Sequence, residues 1–225
     1  KNDYNKTIAL IKQADIVIAN FKFGDANKLK LDYETLKKIN PLVIYGEITG
    51  YGKNVNRSAF DVVLQAETGF MSMNGTPESG PVKMPVALID VLAAHHLKEG
   101  VLLALYEREK SGEGKSVNVS LYDAALSSLV NQASNYLMKG KIPERIGSLH
   151  PNIAPYGEIF TTKDGLLITF AIGSDGHFEK LCLTLKLELL PNDKRFVSNQ
   201  NRVANRTVLA KFIQEKVSEH KCNEL

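Results

Sequence analysis

Apolar positions along the chain follow two rhythms. DIVIAN at 15–20 and the segment 42–48 of PLVIYGEITGYG are nearly unbroken β-branched and apolar runs, the form of strands buried on both faces of a parallel sheet. Around them, residues 4–14 carry Ile8, Leu10 and Ile11 in a helical setting, and 33–39 (YETLKKI) read as a short helix with Asp32 as N-cap. The opening order α-β-α-β predicts a doubly wound α/β layer. AFDVVLQAETG (59–69) predicts a helix closed by Gly69, and a loop rich in Gly, Pro and Ser covers about 72–81. VKMPVALI reads as strand-like. DVLAAHHLKEGVLLALYEREKSG (90–112) is a long helix with an apolar stripe of Val91, Leu92, Leu97, Val101, Leu102 and Leu105, ended by Gly112 and Gly114. Val117, Val119 and Leu121 alternate in KSVNVSLYDA as in a strand, which leads into a helix over 122–139.

Residues 140–156 carry three prolines and little periodicity, so they read as a linker. Beyond them, two strand-like runs flank Lys163-Asp164-Gly165, a hairpin signal, and helices follow at DGHFEKLCLTL and 204–218. The expected fold class is therefore α/β. A large domain over 1–139 has a Rossmann-like, open, mostly parallel sheet with flanking helices, and a smaller α+β domain covers 157–225. The first element is a helix with no strand before it, and the chain does not begin with Met. We expect a strand before Lys1 and a small domain that continues past Leu225.

Composition narrows the function classes. With 44% apolar and 24% charged residues the chain is an ordinary globular protein, and no apolar run approaches the roughly 18 residues that span a membrane. The start lacks the apolar core of a signal peptide. Cys182 and Cys222 have no metal-ligand spacing and read as free thiols of a reducing compartment, so the expected location is cytoplasmic. A net charge of +3 is too mild for a nucleic-acid partner and accommodates a small anionic ligand.

Asp90 leads the candidate chemistry. At the start of a long helix its carboxylate reads first as a simple N-cap and second as a nucleophile at the carboxyl edge of a parallel sheet. Asn20-Phe21-Lys22-Phe23-Gly24 follows the first strand, where an amide, a ring, a cation and a glycine can hold a nucleotide or form an ordinary loop. Lys22, Lys28, Lys30 and Arg57 lie near that edge and can neutralise phosphate or simply face solvent. Gly69 to Gly75, with two methionines, can line a ligand or pack under a core. His95 and His96 point about 100° apart on a helix and do not share a metal, so no metal site is expected. His150 and His177 stand alone. No phosphate loop, H-E-x-x-H or G-x-S-x-G occurs.

Together these segments resemble the family III CoA-transferases. ADIVIANFKFGDANKLKLDYETLKKINPLVIYGEITGYG is similar to the family's E-N-F-R-P-G strand end followed by N-P-x-L-I-Y and S-x-x-G-Y-G. RSAFDVVLQAETGFMSMNG resembles R-P-x-[FYH]-D-x-x-x-Q-A-x-S-G-L-M. PVALIDVLAAHHLKEGVLLALYEREKSGEGKSVNVSLYDAAL resembles P-x-x-D-x-x-[AT]-G, its helix and G-x-G-[QK]-x-V-D-V-S-L-x-D-A. PYGEIFTTKDGLLITFAI is similar to the small-domain segment P-[YF]-x-x-[FY]-x-T-x-D-G. The resemblance covers nearly the whole chain. It implies that Asp90 is the catalytic aspartate, carrying the acyl group as a mixed anhydride and then CoA as an aspartyl thioester. It also implies that Asn20, Phe21, Lys22, Gly24, Lys28 and Arg57 contact CoA and that Phe60 and Asp61 border the substrate pocket. Acyl-CoA and a small carboxylic acid are then the substrates, with no tightly bound cofactor, and the protein is an interlocked homodimer without nucleic-acid or membrane partners.

Phe60 separates two branches of this superfamily. Racemases such as α-methylacyl-CoA racemase carry His at that place, because racemisation needs two proton carriers. Phenylalanine carries none, so the resemblance favours a transferase over an acyl-CoA racemase or epimerase. An inactive CoA-binding fragment is the other alternative. The chain departs from the pattern at Ala19 (usually Glu), Phe23 (usually Pro), His95 (often Gly) and KNVNRS (usually containing T-G-P-Y). The glycine-rich small-domain loop of formyl-CoA transferases is not visible, which leaves the acid open.

Overall fold

The structure is a computed structural model that describes residues 2–225. Lys1, with which the expected large domain opens, lies outside the described residues. The chain divides into two compact units, one ending at Arg145 and the other spanning Ile146–Leu225.

In the first unit, β1 (Ile16–Ala19), β2 (Ile44–Thr49) and β3 (Ser116–Ser120) form a parallel sheet in that order, with Ala19 opposite Glu47 and Glu47 opposite Asn118. Helices α1 (Asn2–Ile11), α2 (Asp25–Leu29) and α3 (Tyr33–Ile39) surround β1 in sequence, and Asp32 caps α3 by accepting from the Thr35 N–H at 3.0 Å. Between β2 and β3 come α4 (Asp61–Glu67), α5 (Phe70–Met73) and α6 (Leu88–Ser111), and α7 (Leu121–Ser127) and α8 (Val130–Lys139) follow.

Successive β2 residues serve opposite faces, as the pleat requires. Tyr45 packs with Ile11, Ala19, Leu36 and Val43, whereas Ile44 packs with Leu97, Val101 and Ala104 of α6. Two glycines bring α6 down onto the sheet. A Cβ on Gly46 would sit 3.2 Å from Leu97 Cδ1, and one on Gly100 only 2.5 Å from Val117 Cγ1. Arg108, near the end of α6, pairs with Asp15 at 3.0 Å and donates to the Leu42 carbonyl at 3.1 Å. Both partners precede strands, so the C-terminal end of α6 lies at the amino edge of the sheet. Its N-terminus therefore projects past the carboxyl edge.

Several sequence expectations change here. The α6 core stripe is Ile89, Ala93, Leu97, Val101 and Ala104, while Val91 and Leu102 face solvent. Leu102 and Val91 are apolar but lie off the inward-facing arc. VKMPVALI is not a strand, because Pro81 and Pro85 bring no N–H and the backbone of Met84 and Val86 bonds to a side chain instead of a ladder. The helix expected over 122–139 is two helices. Ser127 and Ser128 donate to the Ala124 carbonyl, competing with the helical ladder, and Val130 takes a left-handed φ of 45°. The glycine- and serine-rich stretch opens with the helical turn α5, and Gly69 (φ 89°) joins α4 to it.

The second unit pairs β4 (Tyr156–Thr161) antiparallel with β5 (Leu167–Ala171) around Gly165, at φ 80°. Helices α9 (Asp175–Thr184) and α11 (Arg206–Val217) pack Phe178, Leu181, Leu209, Ile213 and Val217 around Phe160 and Phe196, and α10 (Asn199–Ala204) lies between them in sequence. Arg202 is buried there, donating to the Ala154 and Phe196 carbonyls and pairing with Asp175 at 2.6 Å. Cys182 and Cys222 are free, and burial pushes the Cys182 thiol up to about 11. No described helix is long and apolar enough to cross a membrane.

Candidate active site

The N-terminus of a helix carries unpaired N–H groups. The residue that caps α6 is Ala87, which has no side-chain acceptor. Asp90 is therefore the third helical residue and not the cap that its position in the sequence allows. The missing acceptor comes from another element: Asp61, the first residue of α4, accepts from the Ile89 N–H at 2.7 Å through Oδ1. Its Oδ2 accepts from Gln65 Nε2 at 2.6 Å. Gln65 is fully buried; its Oε1 accepts from the Met84 N–H at 2.9 Å, and its Nε2 also reaches the Val86 carbonyl at 3.4 Å. The loop before α6 is thus fastened to α4, and Asp90 is presented from a braced first turn.

Asp90 is open to solvent on one side, yet its pKa is raised, first by partial burial and then by the negative charge of Asp61. Leu97 sits against Gly46. Seven residues earlier, Asp90 lies about 10 Å farther along the helix, level with the carboxyl edge, since β2 ends three residues after Gly46. That is where open α/β sheets place their ligands. Asn20 to Gly24 follows β1, and Arg57, Phe60 and Asp61 follow β2, so all leave the same edge.

These residues differ in what they are free to do. Asn20 and Lys22 are exposed, and Gly24 takes φ 79° at the start of α2. Phe21 packs against the Ile11, Leu36 and Tyr45 cluster, while Phe23 is the exposed ring of that loop. Lys28 pairs with Asp25 at 3.0 Å. Arg57 is paired with Glu67, and its guanidinium stands 4.3 Å from the Tyr51 ring centroid. Tyr51 in turn donates to Glu67 at 2.8 Å, which holds that carboxyl below its ordinary value. Phe60 is 68% exposed on extended backbone. His95 meets Lys98 at 3.0 Å, and no group of His, Cys, Asp and Glu among the described residues could hold a metal. A groove of about 560 Å³ belongs to the second unit, lined by Glu158, Phe160, Arg206 and Gln214 among others, and contains none of these residues.

Sequence reasoning passed over Gln65. Its signals were a polar residue at a core-facing position of α4, one turn after Asp61, and the two prolines that leave the following loop without a ladder.

The model of CoA-transferase family III matches residues 3–225. Succinate–glutarate CoA-transferase of Agrobacterium fabrum is 39% identical over 207 residues, covering 91% of this chain and 51% of that protein. Succinyl-CoA:glutarate CoA-transferase of Homo sapiens is 31% identical over 221 residues, 95% of this chain and 50% of that one. The crystal structure of a CAIB/BAIF family protein from Brucella suis superposes with a TM-score of 0.80 at 38% identity, over all of this chain and 60% of that one. The chain spans about half the length of the curated relatives it matches.

Proposed function

The chain belongs to CoA-transferase family III, and from that premise we propose that its full-length protein moves CoA between carboxylic acids, with Asp90 as the covalent carrier. The observation that carries this reading is the braced presentation of Asp90, with a raised pKa, at the carboxyl edge of the sheet. A carboxylate whose ionised form is disfavoured gains reactivity toward a carbonyl carbon.

Asp90 attacks the thioester carbonyl of the donor. The C–S bond breaks, CoA leaves as thiolate and a mixed anhydride remains. The thiolate then attacks the Asp90 carbonyl of that anhydride, giving an aspartyl-CoA thioester and the free donor carboxylate. An acceptor carboxylate attacks the thioester, re-forming an anhydride and thiolate. The thiolate attacks the acceptor's acyl carbon, which releases the new acyl-CoA and restores Asp90. Each step exchanges one anion for another, so no proton carrier is needed, and Phe60 is compatible with that chemistry.

In this proposal the first unit binds CoA and performs catalysis. Asn20, Lys22, Gly24, Lys28 and Arg57 receive the nucleotide end, Phe21 supports their loop from beneath, and Phe60 and Asp61 border the acyl group. Residues 157–225 act as the small domain, and the working form is a homodimer in the cytoplasm. The names of the two relatives point to succinyl-CoA as donor and a short dicarboxylate such as glutarate as acceptor. The test is to incubate the full-length protein with succinyl-CoA and labelled carboxylic acids. We expect label to enter acyl-CoA, most readily from a dicarboxylate. Exchange of the α-hydrogen of a 2-methylacyl-CoA for deuterium, without CoA transfer, would replace this reading with the racemase one.

A further inference from the structure

We propose that Gln65 is a positioning residue for Asp90, acting through Asp61 and the loop that leads into α6. This rests on the reading of Asp90 as the carrier.

One buried amide makes three bonds to two segments. It donates to Asp61 Oδ2 (2.6 Å) and the Val86 carbonyl (3.4 Å), and it accepts from the Met84 N–H (2.9 Å). Its donor end must face Asp61, because Asp61 offers only acceptors and Val86 offers a carbonyl, while its acceptor end must face the Met84 N–H. The amide orientation is therefore determined by its surroundings. With Oδ2 occupied, Oδ1 is directed at the Ile89 N–H, one residue from Asp90. Ala87 cannot cap α6, so removing Gln65 loosens both the cap and the loop at once. Fixing a reacting group through bonds to its support is the general way such geometry is held.

The charged side chains on the joined segments, residues 61–67 and 82–90, are Asp61, Glu67, Lys83 and Asp90. Glu67 is engaged by Tyr51 and Arg57, and Lys83 by the Met84 and Pro85 carbonyls. Asp123 of α7, which packs on α4, is held by Ser120. Asp61, bonded directly to the amide, is thus the charge that a carboxyl at position 65 would meet.

Gln65→Glu is isosteric and makes a pH-dependent test. Ionised, the introduced carboxylate opposes Asp61 and cannot donate; protonated, its hydroxyl can replace the amide donor. Asp61 and burial both raise its pKa, so the donor returns as the pH falls. In the full-length protein at about pH 8 we expect kcat to fall roughly 10–100-fold, the scale of a misplaced reacting group, with KM for acyl-CoA little changed. The ratio of variant to wild-type kcat should then climb as the pH approaches about 5.5, within reach of a raised carboxyl pKa. Amide exchange at Met84 and Ile89 should be faster in the variant at the higher pH and return toward wild type at the lower one. A flat activity ratio across the pH range, or unchanged protection of both amides, would overturn the proposal. If the wild-type protein transfers no CoA, the function proposed above fails, and amide exchange alone decides the role of Gln65: pH-dependent loss of protection supports it, unchanged protection refutes it.

Discussion

Among single residues, Asp61 and Asp90 form the decisive pair, and pH tests them separately. Burial comes first and the Asp61 charge second in raising the Asp90 pKa. Replacing Asp61 with Asn removes the charge, so the acid limb of kcat/KM should move to lower pH, the direction in which Asp90 then loses its proton more easily. The same variant keeps one acceptor, enough for the Ile89 N–H but not also for the Gln65 amide, so it retains the cap while losing the charge and the bond to Gln65; Asp61→Ala should lose the cap as well and unfold at lower urea concentration. Asp90 also carries a stability signature. Its folded pKa lies above the unfolded one, so the stabilising contribution of its proton is complete below the unfolded carboxylate pKa and lost as pH rises through the folded value. Asp90→Asn should therefore be more stable than wild type at neutral pH, as measured by urea titration, and the difference should close on acidification. A functional carboxylate placed where its ionised form is disfavoured costs stability in this way.

Among elements, α6 shows what was legible in the sequence and what was not. Its existence, its glycine stop and its place over a parallel sheet follow from periodicity and capping chemistry. Which apolar residues face inward does not, because Leu102 is as hydrophobic as Leu97 and only the neighbouring sheet distinguishes them. Nor does the cap of α6 follow from sequence, since the acceptor is 28 residues from the Ile89 N–H it binds. Asp90 was therefore readable as a candidate, but its bracing by Asp61 and Gln65 was not. The break between α7 and α8 was hidden for the opposite reason: serine is common in helices, and only the bonds from Ser127 and Ser128 to one carbonyl reveal the interruption. The seating of α6 gives an element-level prediction. Gly100→Ala improves helix propensity by about 1 kcal/mol but drives a Cβ to 2.5 Å from Val117, a short, stiff side chain. Overpacking of this kind costs about 1–3 kcal/mol and should win. Adding Val117→Ala should return part of that loss, a coupling that a double-mutant cycle in urea measures.

At the scale of the whole molecule, two compact units carry different burdens. The second unit is organised around Arg202, whose guanidinium satisfies two buried carbonyls and stacks 4.6 Å from the Phe178 ring centroid. Arg202→Ala strands those carbonyls and leaves a cavity, so it should destabilise by about 3 kcal/mol or more; hydrogen exchange across Ile146–Leu225 should show the loss within that unit. The first unit carries the candidate chemistry, and the central claim is that Asp90 becomes covalently bonded to acyl group and CoA in turn. Trapping that bond tests it most directly. The full-length protein is mixed with succinyl-CoA, quenched with hydroxylamine or borohydride, digested and sequenced by mass spectrometry. The account predicts a hydroxamate or a reduced side chain at Asp90, formed only when acyl-CoA is present and absent from Asp90→Asn, which should also lose CoA transfer. A trapped adduct at another residue, or transfer that survives Asp90→Asn, would contradict it.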